Sequence, residues 1–106
     1  TPFDVNSTDE KVASFVSAYT EKYGVAPDQF AADGYDVIYA IYDACVAAGV
    51  DGTTAPSEAC ELPKTYFATN EFSGLTGNGM TWDEQGMISK IPAAVVIENG
   101  KYVALG

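Results

Sequence analysis

The sequence predicts an α+β chain in which three helices are followed by two β-hairpins. Two observations carry this. Apolar residues recur at helical spacing through roughly the first 70 positions. From Phe72 onward glycines and turn residues interrupt short apolar segments, and an Asn99-Gly100 pair stands between the last two of them.

A first helix is expected over about residues 8–23. Ser7 followed three positions later by Glu10 has the form of a capping box, in which hydroxyl and carboxylate each satisfy an otherwise orphan amide. Val12, Phe15, Val16, Tyr19 and Tyr23 then define one apolar face, and Gly24 ends the helix. The second helix is expected over about 27–48, with Pro27 in its first turn, where a missing amide hydrogen costs nothing. Phe30, Tyr35, Ile38, Ile41, Tyr42 and Cys45 lie on or near its apolar side, and Gly49 stops it. Residues 57–69 favour helix, but Pro63 is expected to split them into a turn and a shorter helix.

The first hairpin is expected to pair Met80–Trp82 with 87–90 around the turn 83–86. The second pairs 93–97 with 101–104, because Asn-Gly supplies the positive φ angles that tight hairpins require. The glycines at 74, 77 and 79 suggest a flexible crossover. They lack the following Lys and helix of a phosphate loop.

At 106 residues there is room for one domain or part of one. Fifteen carboxylates against five lysines give a net charge of -10. Such a field repels phosphate backbones and anionic headgroups, which argues against nucleic acid and membrane-surface partners. No apolar run approaches the roughly 18 residues of a membrane span. With no His, the chain has neither a Ser-His nor a Cys-His apparatus nor the usual nitrogen ligand for zinc.

Paired carboxylates such as Asp83 with Glu84, or Asp33 with Asp36, lack any sign of the burial that would raise one pKa for acid work. Residues 83–90 lack the alternating oxygen ligands of a calcium loop. No catalytic residue, metal site or cofactor is therefore expected.

Cys45 and Cys60 flank the loop that contains Gly49, Asp51, Gly52 and Pro56. A disulfide between them is expected. It would close a loop of about 15 residues, contribute about 3 kcal/mol in the chain-entropy model and imply an oxidising compartment. The alternative is two independent thiols, since Cys45 falls on an apolar face where a small hydrophobe fits.

The three helices and two small hairpins lack the alternation of a complete parallel-sheet domain, and few strands are available to cover the helices. Either the chain is an autonomous α+β unit or its helices were covered by a larger sheet. The sequence begins Thr1, Pro2, Phe3, Asp4, with no initiator Met, so an upstream segment is expected to have been removed, either by processing or by deliberate design of the chain.

The stretch FVSAYTEKYGVAPDQFAADGYDVIYAIYDACVAA from Phe15 to Ala48 resembles the branched-chain amino acid binding proteins of ABC importers, the type I periplasmic binding proteins. Phe72, Gly74, Thr76 and Gly77 match a further signature of that family, and Thr81, Trp82, Asp83, Glu84 and Gly86 another. The resemblance covers nearly the whole chain but only about the last third of a family member. It implies an α/β parent of two lobes that close by a hinge. Residues 1–70 would then be a helical part of the first lobe, and 71–106 the hinge and closing strands.

The resemblance implies the ligand-binding component of an importer: not an enzyme, located in the periplasm or on the cell surface as a lipoprotein, and partnered by a membrane permease. Periodicity alone makes Phe30 a core residue, whereas the family places the matching residue against the ligand side chain. Asp33, one helical turn on, is either a solvated helix residue or a carboxylate for the ligand's ammonium group. The Gly-Tyr-Asp of residues 34–36 implies packing and local hydrogen bonding. Cys45, Cys60 and the Tyr-rich second helix depart from the family pattern, so the ligand's identity within the amino acid class does not carry over. The isolated chain is expected to self-associate and to bind no amino acid. A sensory receptor domain of the same fold, or a small autonomous interaction or structural protein, is the alternative.

Overall fold

A computed structural model describes residues 3–105. Its elements run α1 (Glu10–Tyr23), α2 (Gln29–Ala48), α3 (Pro56–Thr69), β1 (Val95–Glu98) and β2 (Lys101–Ala104). This is the expected α+β order, with three differences in its helices.

The cap of α1 is Asp9 rather than Ser7. One carboxylate oxygen of Asp9 accepts from the amides of Lys11 at 3.0 Å and Val12 at 3.2 Å. A charged acceptor serves two orphan donors better than a hydroxyl serves one. Ser7 stands outside the helix, its Oγ accepting from the Asp9 amide at 3.2 Å. At α2 the cap is Asp28, which accepts from the Ala31 amide at 2.9 Å, so Pro27 precedes the cap instead of entering the first turn. Both helices end on left-handed glycines, Gly24 at φ 73° and Gly49 at φ 71°.

The third difference is α3, which runs unbroken through Pro63 and begins with Pro56 in its first turn. Pro63 costs one backbone hydrogen bond. It is also the buried residue of a helix packed along α2, and that packing outweighs the loss.

The expected first hairpin reduces to one bridge, Trp82 with Ile88. Its turn is held by Asp83, whose Oδ1 accepts from the amides of Gln85 and Met87, both at 2.9 Å, with Gly86 at φ 79°. A second bridge joins Phe72 to Met80 around the glycine loop. That loop is anchored, in contrast to the flexible crossover expected: the Gly74 amide donates to Gly77 O at 2.9 Å and the Gly79 amide to Ser73 Oγ at 2.8 Å. The last hairpin pairs β1 with β2 antiparallel, Val95 opposite Ala104 and Glu98 opposite Lys101. Asn99 at φ 51° and Gly100 at φ 73° form its turn.

The core is divided. Phe3, Val12, Ala32 and Leu75 form one buried cluster, and Ala40, Phe72 and Met80 the other. Small alanines on one side of α2 let residues 72–80 lie close against it. The other side of α2, with Val37, Ile38, Ile41 and Tyr42, faces solvent. The radius of gyration, 16.1 Å, exceeds the value of about 13 Å for a compact chain of this length. The accessible surface, 7494 Å², exceeds the roughly 5,700 Å² of a folded monomer of this mass.

The expected Cys45–Cys60 disulfide is not formed: both are free thiols, Cys45 half-buried on α2 and Cys60 exposed on α3. The connection between those helices is ordered instead by Asp51. Its Oδ1 accepts from the Thr53 amide at 2.7 Å and hydroxyl at 2.6 Å, and its own amide donates to Thr54 Oγ1 at 3.0 Å. Without the covalent bond, the cysteines no longer argue for an oxidising compartment.

Candidate ligand-binding site

The residues singled out from the sequence lie on the first two turns of α2. Asp28 caps that helix, so Phe30 emerges at its N-terminus, where the residue is 71% exposed. Phe30 lines a concavity of about 500 Å³ with Pro27, Asp28 and Gln29, facing Val95 and Tyr102 of the hairpin. The hairpin is tethered there by Asn6, whose Nδ2 donates to Tyr102 O at 3.0 Å. An exposed aromatic ring over an apolar hollow can wall in an apolar side chain.

Asp33 follows one turn later and is neither free nor simply solvated. Its Oδ1 accepts from Lys90 Nζ at 2.6 Å, an ion pair whose side chains are 36% and 25% exposed respectively. Lys90 was not anticipated from the sequence, because 57 residues separate the partners.

Asp36 lies one turn further and is buried. Its Oδ1 accepts from the Leu75 amide at 2.8 Å, and its Oδ2 from the Thr76 amide at 2.9 Å and hydroxyl at 2.7 Å. The hydrogen bonding expected of this residue as local is thus long-range, and it clamps the glycine loop to α2. The only hint was that the Gly-Tyr-Asp and Phe-Ser-Gly-Leu-Thr-Gly stretches recur together in the pattern that the chain resembles. All three donors find an acceptor on this one carboxyl group, so Asp36 is committed to holding the glycine loop.

A second groove, about 680 Å³, runs between α1 and α2 beside Gly74 and is walled by Phe15, Tyr35 and Tyr39. These rings pack in series at tilted angles: Phe15 and Tyr35 at 4.8 Å between centroids, Tyr35 and Tyr39 at 4.8 Å. The hydrogen bond with Tyr39, then burial and the Tyr39 and Asp36 charges, push the Tyr35 hydroxyl above its ordinary pKa.

Among the described residues no three His, Cys, Asp or Glu side chains converge as a metal cage, and no helix is long and apolar enough to cross a membrane.

No family model matches the sequence, and no curated protein matches it. Solved structures do. A protein assigned to branched-chain amino acid ABC transport in Rhodospirillum rubrum is 32% identical, with a TM-score of 0.73, over 99% of this chain and 29% of its own. The leucine binding protein LivK of Thermotoga maritima is 26% identical, with a TM-score of 0.69, over 100% of this chain and 28% of its own. An ABC transporter substrate-binding protein of Desulfitobacterium hafniense, in complex with Leu, is 20% identical with a TM-score of 0.76, a likeness of fold alone. By sequence and fold together, the chain is similar to substrate-binding proteins of branched-chain amino acid ABC transporters, which are type I periplasmic binding proteins, and it spans a little under a third of their length.

Proposed function

We propose that this chain is the C-terminal part of an extracytoplasmic solute-binding protein that captures an amino acid between two lobes and delivers it to an ABC permease. The observation that carries this is the 32% identity over 99% of the chain to a protein of which the match covers 29%. On this reading residues 1–70 belong to the helical part of the first lobe and 71–106 to the hinge and closing strands. The accessible surface is consistent with it, exceeding that of a folded monomer by about 1,800 Å². That is about twice what one partner contributes to a standard protein interface. The apolar side of α2 is where a parallel sheet from the rest of the parent would lie.

Within the closed parent, Phe30 walls the pocket against the ligand's apolar side chain. Asp33 presents a carboxylate beside it for the ligand's ammonium group. Lys90 takes one of its two oxygens and holds the side chain in place. The protein binds and releases its ligand unchanged and is not an enzyme.

Titration calorimetry with leucine tests this. The intact parent is expected to bind at micromolar affinity or tighter, and Phe30→Ala to weaken binding about tenfold, as loss of a buried aromatic contact does. The 106-residue chain alone is expected to bind none. Leucine binding by this chain alone, or an intact parent indifferent to branched-chain amino acids, would overturn the proposal.

A further inference from the structure

The two acidic side chains on neighbouring turns of α2 hold the two ends of one stretch of chain. Asp36 grips its start at Leu75 and Thr76. Asp33 grips its end at Lys90. Between them the stretch folds back on itself, with Trp82 bridged to Ile88 and the Ser89 amide donating to Thr81 O at 2.9 Å.

The two grips differ in kind. Asp36 is buried and accepts three hydrogen bonds, so it opens only with the fold. The Asp33–Lys90 pair is a single contact at the edge of solvent, where an ion pair is reversible and salt-sensitive. Immediately after Lys90 the chain leaves through the exposed Ile91 toward β1, whose Val95 faces Phe30 across the concavity. Lys90 thus stands where the anchored stretch gives way to the segment that sets the distance between hairpin and α2.

We propose that Lys90 is a positioning residue. Its ion pair fixes the departure point of residues 91–94 against the Phe30 turn of α2 and so favours the closed arrangement of the ligand site. It acts through geometry, without touching ligand. The part of this that concerns ligand affinity rests on the binding-protein function proposed above. The positioning itself does not.

The test uses the intact parent carrying Lys90→Met, which keeps the chain length and apolar stem and removes the charge, and Lys90→Arg, which keeps the charge. Native-state hydrogen exchange reports the pair directly. Exchange of the Ser89 amide is expected to quicken about fivefold in Lys90→Met, the size of a part-exposed ion pair, while the Leu75 and Thr76 amides held by Asp36 keep wild-type protection. Lys90→Arg is expected to restore Ser89.

Leucine affinity is expected to fall by a similar factor in Lys90→Met. The gap from wild type should close between about 0.1 and 1 M salt, as screening shortens from about 10 to about 3 Å. Unaltered Ser89 exchange in Lys90→Met overturns the proposal. So does faster exchange with undiminished leucine affinity. A wild-type parent that ignores leucine would instead count against the importer function, and Ser89 exchange would then decide the positioning role alone.

Discussion

Asp36 Oδ2 accepts two hydrogen bonds from a single residue, Thr76, 2.9 Å from its amide and 2.7 Å from its hydroxyl, across 40 positions of sequence. With the Leu75 amide on Oδ1, the carboxylate satisfies three donors in a buried site. Hydrogen bonds to a charged acceptor contribute roughly 1.5 to 3 kcal/mol each, and orphaned buried donors carry a comparable penalty. Asp36→Ala is therefore expected to destabilise the fold by about 3 kcal/mol or more. Asp36→Asn, which must turn an amide group toward at least one donor, is expected to fall between it and wild type. Urea midpoints measure both, and a midpoint within error of wild type for Asp36→Ala would show that the clamp contributes nothing.

Gly74 is the residue that allows this approach. A Cβ built there would stand 2.6 Å from Asp36 Cγ and 2.8 Å from Oδ2, closer than any relaxed contact. The obstacle is a carboxylate held by three hydrogen bonds, which cannot swing aside without breaking them. Gly74→Ala is expected to be destabilising by about 2 kcal/mol, within the usual range for overpacking. Because Asp36→Ala removes the obstacle, the double variant should be clearly less destabilised than the sum of the two single ones. Strict additivity in a double-mutant cycle would mean that the glycine serves some other purpose. Gly77 makes a useful contrast, since the nearest atoms a Cβ there would meet belong to the Met80 side chain, 2.8 Å from its sulfur, and not to a hydrogen-bonded carboxyl group.

What could be read from the sequence was governed by range. The ends of α1 and α2, and the turn of the last hairpin, depend on residues within a few positions of one another: Gly24, Gly49, Asn99 with Gly100. Even the misplaced helix starts err by only a residue or two: the sequence pattern points to Ser7 as the cap in place of Asp9, and Pro27 lies before the cap of α2 instead of in its first turn. Where contacts between distant elements decide, local chemistry misleads. Pro63 ought to break a helix and instead lies buried within one packed on α2. The spacing of Cys45 and Cys60 invites a disulfide, yet Asp51 and its threonines order the intervening turn without one. Phe30 and Asp33 were legible as neighbours about one helical turn apart on α2. Their surroundings were not, because Lys90 and the hairpin approach from more than 50 positions away.

The Asp51 turn makes a prediction of its own. The Thr53 hydroxyl and amide, with a smaller contribution from Thr54, stabilise the Asp51 carboxylate and hold its pKa below the ordinary value. A depressed folded-state pKa means that the unfolded chain takes up its proton first. The stabilisation is therefore fully present above the unfolded pKa and is lost as pH falls through the folded one. A carboxyl titration followed by NMR is expected to show an Asp51 midpoint lower than that of an unstructured aspartate. Thr53→Val, which removes the hydroxyl but keeps the amide, should move it part of the way back. An unmoved midpoint would remove the hydroxyl from the account.

The exposed side of α2 bears on how the chain behaves by itself. Ile38 is 67% exposed and Ile41 48%, on a helix whose opposite side already carries the close approach of residues 72–80. Charge repulsion at a net charge of -10 opposes association. It is screened by salt, whereas apolar attraction is not. The chain is therefore expected to associate more strongly as salt rises, and Ile38→Lys to keep it monomeric at the same concentration; sedimentation velocity distinguishes the two. In the intact parent the sign reverses. If a sheet covers this side of α2, the same lysine buries an unpaired charge and lowers stability by several kcal/mol. A variant that is better behaved as the short chain and worse folded in the parent is the combined result expected of a covered helix face. A neutral effect in the parent would mean that this side of α2 stays wet there too.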